Sequence, residues 1–296
     1  MTTGVVIIAK KHRMYANMAF NLAVSIKHTD PLLPICLIHD NCTNDYTTVQ
    51  KFIFNKMILN NDSNPFKVKL SLFDLSPFDK TIYLDADMVM MPNHSITTLL
   101  ESIKGFQIAN RGFTDTNDWI DVNASKKEFN VKQWLNTSSE VIIFDKSEES
   151  KKVFELANEF YLANTLVNRK IGAEQPDEPS FSYAIAHTKL KMQIPFKPSF
   201  WEPQESKYIN EVDIRTNFTF LSMGGNNISS RIQNIYNRYV QHYAYNVGVK
   251  STPHVNKSTV LKEKPTSRVN RVEREGLKII RKSSPCLDRK NNICEV

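Results

Sequence analysis

Asp85-Ala86-Asp87 places two carboxylates one residue apart at the end of an apolar run, Thr81-Ile82-Tyr83-Leu84, and Met88-Val89-Met90 follows at once. Ile, Tyr and Val favour packed, pleated positions, so the run reads as a buried strand. An unpaired carboxylate beside a core is costly, and a bound divalent cation removes that cost. Mg²⁺ and Mn²⁺ prefer hard oxygen ligands and are often held by one or two carboxylates plus a substrate's phosphates. The spacing therefore predicts a metal site for a phosphorylated ligand. A second acidic pair, Asp177-Glu178, precedes Pro179, a combination suited to a helix start.

The elements that must position these acids alternate between strand and helix through the first half, the sign of βαβ units and a largely parallel sheet. Strands are predicted at Gly4–Lys10, Pro34–His39, Thr81–Leu84 and Phe106–Asn110, and helices at Met14–His28, Thr43–Leu59, Phe66–Leu75 and Ser95–Ile103. Further on, Glu140–Phe144 and Phe218–Ser222 read as strands; Ser147–Leu166, Asp177–His187 and Ser230–Tyr245 read as helices. With ligands binding at the carboxyl ends of such strands, Ala9, Lys10 and Tyr15 are positioned to receive a nucleobase and ribose.

The 296 residues are 41% hydrophobic and 23% charged, ordinary values for a folded soluble protein with one large α/β domain or two small ones. No apolar run is long enough to span a membrane, and the N-terminus has no secretory signal pattern, so a cytoplasmic protein is expected. The four cysteines lack zinc or redox spacing and read as free thiols. Residues 247–296 hold 12 Lys or Arg against 5 Asp or Glu, which accounts for the whole net charge of +7. The expected division is a domain over 1–247 and a flexible basic tail over 248–296, suited to an anionic surface such as nucleic acid or lipid.

Four segments together resemble glycosyltransferases of the GT-A fold, most closely family 8, the glycogenin and bacterial galactosyltransferase group. They are Val5–Ala9 with the Asn21–Ile26 helix, Leu75–Asp87, Asn136–Phe144, and Asp177-Glu178-Pro179. The resemblance implies a Rossmann-like nucleotide-sugar-binding α/β domain with a mostly parallel central sheet. It implies Mn²⁺ or Mg²⁺ as cofactor, with Asp87 as direct ligand and Asp85 on the same ion, partly through water, or on the ribose. The family's third ligand is a histidine; here Ser222 stands in that position, with Asn226, Asn227 or water as substitutes and His242 and His254 as alternatives. Lys69, or Lys67, matches a basic residue near the diphosphate, and Asn136 matches a sugar-pocket residue. Asp177 is implied to contact sugar hydroxyls. Glu178 stands where the family carries Gln, near the anomeric carbon, and could stabilise an oxocarbenium-like transition state, attack covalently or take a proton.

Several residues remain as further candidates: Arg111 for a phosphate or the acceptor, Trp119, Trp134 and Trp201 for stacking, and the Pro195–Pro203 loop for the acceptor pocket. The implied activity is transfer of a sugar from a UDP-sugar, with retention, to a hydroxyl on a glycan, lipid-linked sugar or protein. An alternative is a phage-type DNA glycosyltransferase acting on a hydroxymethylated base, its basic tail binding DNA. A nucleotidyltransferase and a catalytically silent binding protein are two further readings. The basic Ala9–Arg13 stretch lacks the glycines usual in the first, and the retained Asp85/Asp87 pair argues against the second.

Overall fold

The computed structural model describes residues 1–117, 120–163, 175–205, 207–208, 210–224 and 228–250. β1 (Thr3–Ala9), α1 (Arg13–Thr29) and β2 (Ile35–His39) form the first βαβ unit, followed by α2 (Thr48–Phe52) and β3 (Lys56–Leu59). α3 (Pro65–Leu70) and α4 (Leu72–Leu75) lead into β4 (Lys80–Asp85), then β5 (Met88–Met90), α5 (Ile96–Ser102), β6 (Gln107–Phe113), α6 (Val122–Glu128) and β7 (Leu135–Asp145). α7 (Glu148–Leu162), α8 (Glu178–Ala186), β8 (Ser199–Phe200), α9 (Glu211–Asn217), β9 (Phe220–Ser222) and α10 (Ser230–Val247) complete the order.

The main sheet runs β3-β2-β1-β4-β7-β6, and within it β7 alone runs against its neighbours, so the sheet is mostly parallel. Alternation along each strand divides the core into two layers. Val5, Ile7, Ile82 and Leu84 face the side carrying α1 and α10. Val6, Ile8, Tyr83, Ile142 and Phe144 face the side carrying α3, α7 and α8. A second, three-stranded sheet, β5-β9-β8, grows out just after the Asp85-Ala86-Asp87 turn.

The expected Thr43–Leu59 helix is overturned. Thr47 and Gln50 form a reciprocal capping box that starts α2, but that helix stops after Phe52. Lys56–Leu59 is instead a strand paired in parallel with β2, in register Cys36–Lys56 to His39–Leu59. A short apolar run of this kind has no intrinsic preference between helix and strand; the open edge of β2 decided it. The expected Phe66–Leu75 helix is broken at Ser71 into α3 and α4. The part of the expected Ser147–Leu166 helix beyond residue 163 lies outside the described residues.

α10 ends on Gly248, which adopts a left-handed conformation (φ 75°) and donates back to Ala244 and Tyr245. Of the basic tail only Gly248–Lys250 are described, and Cys286, Cys294 and His254 fall outside. Cys36 and Cys42 are free thiols. Among the described residues no helix is long and apolar enough to cross a membrane.

Candidate active site

β1 and β4 end side by side, Ile8 opposite Asp85, and a cavity of about 530 Å³ opens over those ends. Asp85 is the last residue of β4, and Asp87 sits in the turn to β5. That turn is fixed from the small sheet: Met88 pairs with Ser222, and the Met223 amide donates to the Asp87 carbonyl at 2.9 Å. Lys69 arrives from α3, whose first turn is capped by the Asn64 side chain with Pro65 at the first helical position. Neighbours two apart on a helix point to nearly opposite sides. Lys69 accordingly enters the cavity while Lys67 turns outward to Asp62 at 2.9 Å. Asp177 and Glu178 stand at the start of α8, where the Thr137 hydroxyl donates to the Glu178 carbonyl at 2.9 Å.

Lys69 Nζ lies 2.8 Å from Asp85 Oδ1, 3.8 Å from Asp177 Oδ2 and 3.1 Å from Ser139 Oγ. The Tyr83 hydroxyl also donates to Asp85 Oδ1. Burial pulls the Lys69 ammonium down, but Asp177 and Asp85 outweigh it and hold it above the ordinary lysine value. Three acids of the site are raised. Burial, with Asp85 and Glu140 nearby, pushes the Asp87 carboxyl up to about 7. Burial also raises Asp177, against the opposing pull of Lys69. Burial and the adjacent Asp177 push Glu178 up to about 8.

Two observations test whether a hard divalent cation fits here. Asp87 Oδ1 is buried without a hydrogen-bond partner among the described residues, a costly arrangement for a carboxylate unless a cation is bound. A methyl group on Gly224 would lie 3.3 Å from Asp87 Oδ2 and 3.5 Å from Ser222 Oγ, so the glycine keeps open a gap bounded by a carboxylate and a hydroxyl. The all-oxygen set of Asp85, Asp87 and Ser222 fits Mg²⁺ or Mn²⁺. Among the described residues no group of three or more His, Cys, Asp and Glu is arranged to hold a metal. Such an ion would therefore take its remaining oxygens from water and ligand, as Mg²⁺ commonly does.

No protein-family model matches the chain, and no curated protein matches it in sequence. Solved structures do match. GlyE from Streptococcus pneumoniae, a glycosyltransferase, aligns over 88% of this chain and 68% of its own at 13% identity, with a TM-score of 0.51. The galactosyltransferase LgtC, solved in complex with donor and acceptor sugar analogs, aligns over 85% of this chain and 98% of its own at 11% identity and a TM-score of 0.50. WbbM, a bifunctional glycosyltransferase, aligns over 82% of this chain at 12% identity and a TM-score of 0.50; the chain spans half of WbbM's length. The chain has the GT-A fold. In this GT-A domain the cavity lies at the carboxyl ends of the parallel strands, where open α/β sheets bind ligands.

Within the GT-A cavity the structure brings together Lys10, Tyr15, Lys69, Asp85, Asp87, Asp177, Glu178, Ser222 and Trp201. Lys10 is buried and donates to the Asn60 backbone and, at 2.8 Å, to its side chain. Two expected residues are not among the lining. Ala9 is fully buried, its side chain in the α1-side core, because alternation turns it away from the face that carries Ile8 and Asp85. Asn136 lies further down β7, against Asn117 at 3.5 Å, and Ser138, Ser139 and Glu140 line the cavity in its place.

Arg111 Nη1 lies 2.6 Å from the buried Glu205, which engages part of its guanidinium. Trp134 is a core residue, packed with Ile120 and Val122, while the Trp201 indole donates to the Gly224 carbonyl at 2.6 Å at the cavity wall. His242 packs against His28 and Tyr243 where α10 meets α1, away from the acids. Trp119, Asn226 and Asn227 lie outside the described residues. Glu140 was missed because it read as the first residue of a core strand. Its only signal was its charge at the head of an apolar run.

Proposed function

We propose that the chain is a metal-dependent glycosyltransferase that moves a sugar from a UDP-sugar to a hydroxyl on a glycan, lipid-linked sugar or protein. The observation that carries the reading is Asp87, a carboxylate with one oxygen buried and, among the described residues, unpartnered, beside Asp85 and Ser222 at the mouth of a GT-A sheet. The ion these residues would hold supplies Lewis-acid stabilisation to a departing diphosphate. Lys69 keeps Asp85 and Asp177 in fixed positions through its ionic contacts. Lys10 and Tyr15 suit the nucleoside end, and Asp177 the sugar hydroxyls.

Glu178 lines the cavity beside Asp177, and burial together with that neighbouring acid raises its carboxyl, so the three roles remain open to it. Retention is carried over from the family resemblance. Nothing in the fold or the site favours the DNA-modifying alternative.

The test is Mn²⁺-dependent hydrolysis of a panel of nucleotide sugars by the full chain, with Asp87→Ala as control. The expected products are UDP and free sugar, first released in the donor's own anomeric configuration by NMR, with activity at least about 100-fold lower in Asp87→Ala. Release of UTP and sugar 1-phosphate when pyrophosphate is added would instead identify a nucleotidyltransferase. No turnover of any donor by the intact chain would sink the reading.

A further inference from the structure

Glu140 enters the cavity through an irregularity in the sheet. On β6, Ile108 pairs with Ile142 and the very next residue, Ala109, pairs with Ser138. Residues 139–141 of β7 are therefore extra, and a strand bulge of this kind bends the chain and re-aims its side chains. On the other side of β7 the last pair with β4 is Leu84–Val141, after which the two strands deliver Asp85 and Glu140 to the same cavity. The Ser199 hydroxyl, from β8 in the small sheet, donates to Glu140 Oε1. Among the described residues no other hydrogen bond reaches this carboxyl group.

Glu140 is a buried carboxyl whose hydrogen bond comes from Ser199; burial raises it, and the charge of Asp85 adds to that. Arg111, which attracts it, is already engaged by Glu205. A glutamine would satisfy Ser199 equally well without that repulsion, so the carboxylate needs a reason beyond linking the two sheets. Departures from local consistency of this kind concentrate at functional positions. Glu140 lines the cavity with its β7 neighbours Ser138 and Ser139, as do Asp85, Asp87 and Trp201. With the nucleoside end assigned to Lys10 and Tyr15 and the diphosphate to Asp87, the β7 wall is left for the sugar, and a carboxylate is a strong acceptor for sugar hydroxyls.

Resting on the glycosyltransferase reading above, we propose that Glu140, steadied by Ser199, is the specificity residue of the donor-sugar subsite, accepting hydrogen bonds from hydroxyls of the transferred hexose or pentose. The experiment takes the best donor from the nucleotide-sugar panel and compares it with its monodeoxy analogues, using the wild-type chain, Glu140→Ala and Glu140→Gln. Affinity for UDP alone is measured in parallel by calorimetry. At one ring position, loss of the hydroxyl is expected to lower the wild-type kcat/KM by about 10-fold or more, the scale of a hydrogen bond to a charged group.

The same deletion is expected to cost Glu140→Ala less than about 2-fold, with Glu140→Gln in between and UDP affinity unchanged. The proposal is overturned if Glu140→Ala loses the same factor on every deoxy donor as on the parent, or behaves as wild type. It is equally overturned if UDP affinity falls in step with donor affinity. Should Glu140→Ala not fold, Glu140→Gln carries the comparison, and a loss on it that is equal for all donors overturns the proposal. Failure of the wild-type chain to turn over any nucleotide sugar would instead bring down the underlying reading, before any variant is compared.

Discussion

Replacing Lys69 by Met removes the ammonium that lies 2.8 Å from Asp85 and 3.8 Å from Asp177 while keeping most of the side chain's bulk. The Lys69 and Asp177 side chains are 8% and 2% exposed, so water does little to compensate. Stranding one member of a buried pair costs about 3–5 kcal/mol. A ceiling follows from proton uptake, because Asp177 escapes its unpaired charge by protonating. From an ordinary value of 3.8, holding that proton at pH 7 costs about 4.4 kcal/mol at about 1.36 kcal/mol per pH unit, and at pH 5 about 1.6 kcal/mol.

The sign is fixed by the same linkage. Without Lys69 the folded-state pKa of Asp177 rises further above its unfolded value, so the variant recovers stability as pH falls and loses it as pH rises. Urea unfolding of the full chain, followed by tryptophan fluorescence, is expected to give a deficit of about 3–4 kcal/mol at pH 7 that shrinks to under about 2 kcal/mol at pH 5. A deficit below about 1 kcal/mol at pH 7, or one equal at both pH values, would refute the assignment of Lys69 as the counter-charge of this cluster.

Glu178, raised from 4.5 to about 8, takes up a proton on folding, so its contribution to stability is lost as pH rises from about 4.5 through about 8. Glu178→Gln should flatten the pH dependence of urea midpoints over that window and exceed wild type at pH 8; an unchanged slope counts against the shift. Burial alone would raise Asp30, but hydrogen bonds from Ser95, Ile96 and Thr97 outweigh it and hold it below its usual value. Because Asp30 ties the end of α1 to the start of α5, with contacts of 2.6 Å to Ser95 Oγ and 3.0 Å to the Ile96 amide, Asp30→Ala should lose about 1–3 kcal/mol at pH 7. That loss should fade as acid protonates the wild-type carboxyl, and a pH-independent loss would contradict the cause given. Gly224→Ala places a methyl group 3.3 Å from Asp87 Oδ2. Nucleotide-sugar hydrolysis should fall sharply with little change in Tm, whereas full activity would mean that the gap beside Asp87 is not used.

Local sequence determined a good deal. β1, β2 and β4 are short apolar runs rich in Ile, Val or Tyr, and α1 carries an apolar stripe at helical spacing, so composition and period together indicate both their existence and their type. The Asp85-Ala86-Asp87 step was legible because two acids ending a buried strand contradict their own surroundings. Asp177-Glu178 before Pro179 was legible as a helix start for a similar local reason.

Tertiary structure decided the rest. Whether Lys56–Leu59 became helix or strand depended on the free edge of β2. That Ser222 stands beside Asp87 depended on its pairing with Met88 across the small sheet. Whether Ser138–Glu140 rather than Asn136 reached the cavity depended on a bulge visible only once β6 and β7 are paired. In each case a side chain's direction was set by strand register, and register is a relation between segments distant in sequence. A one-residue change in that register reverses which face a side chain occupies. The sequence by itself could therefore name the acids at the mouth of the sheet, while only the folded chain could say which other groups face them.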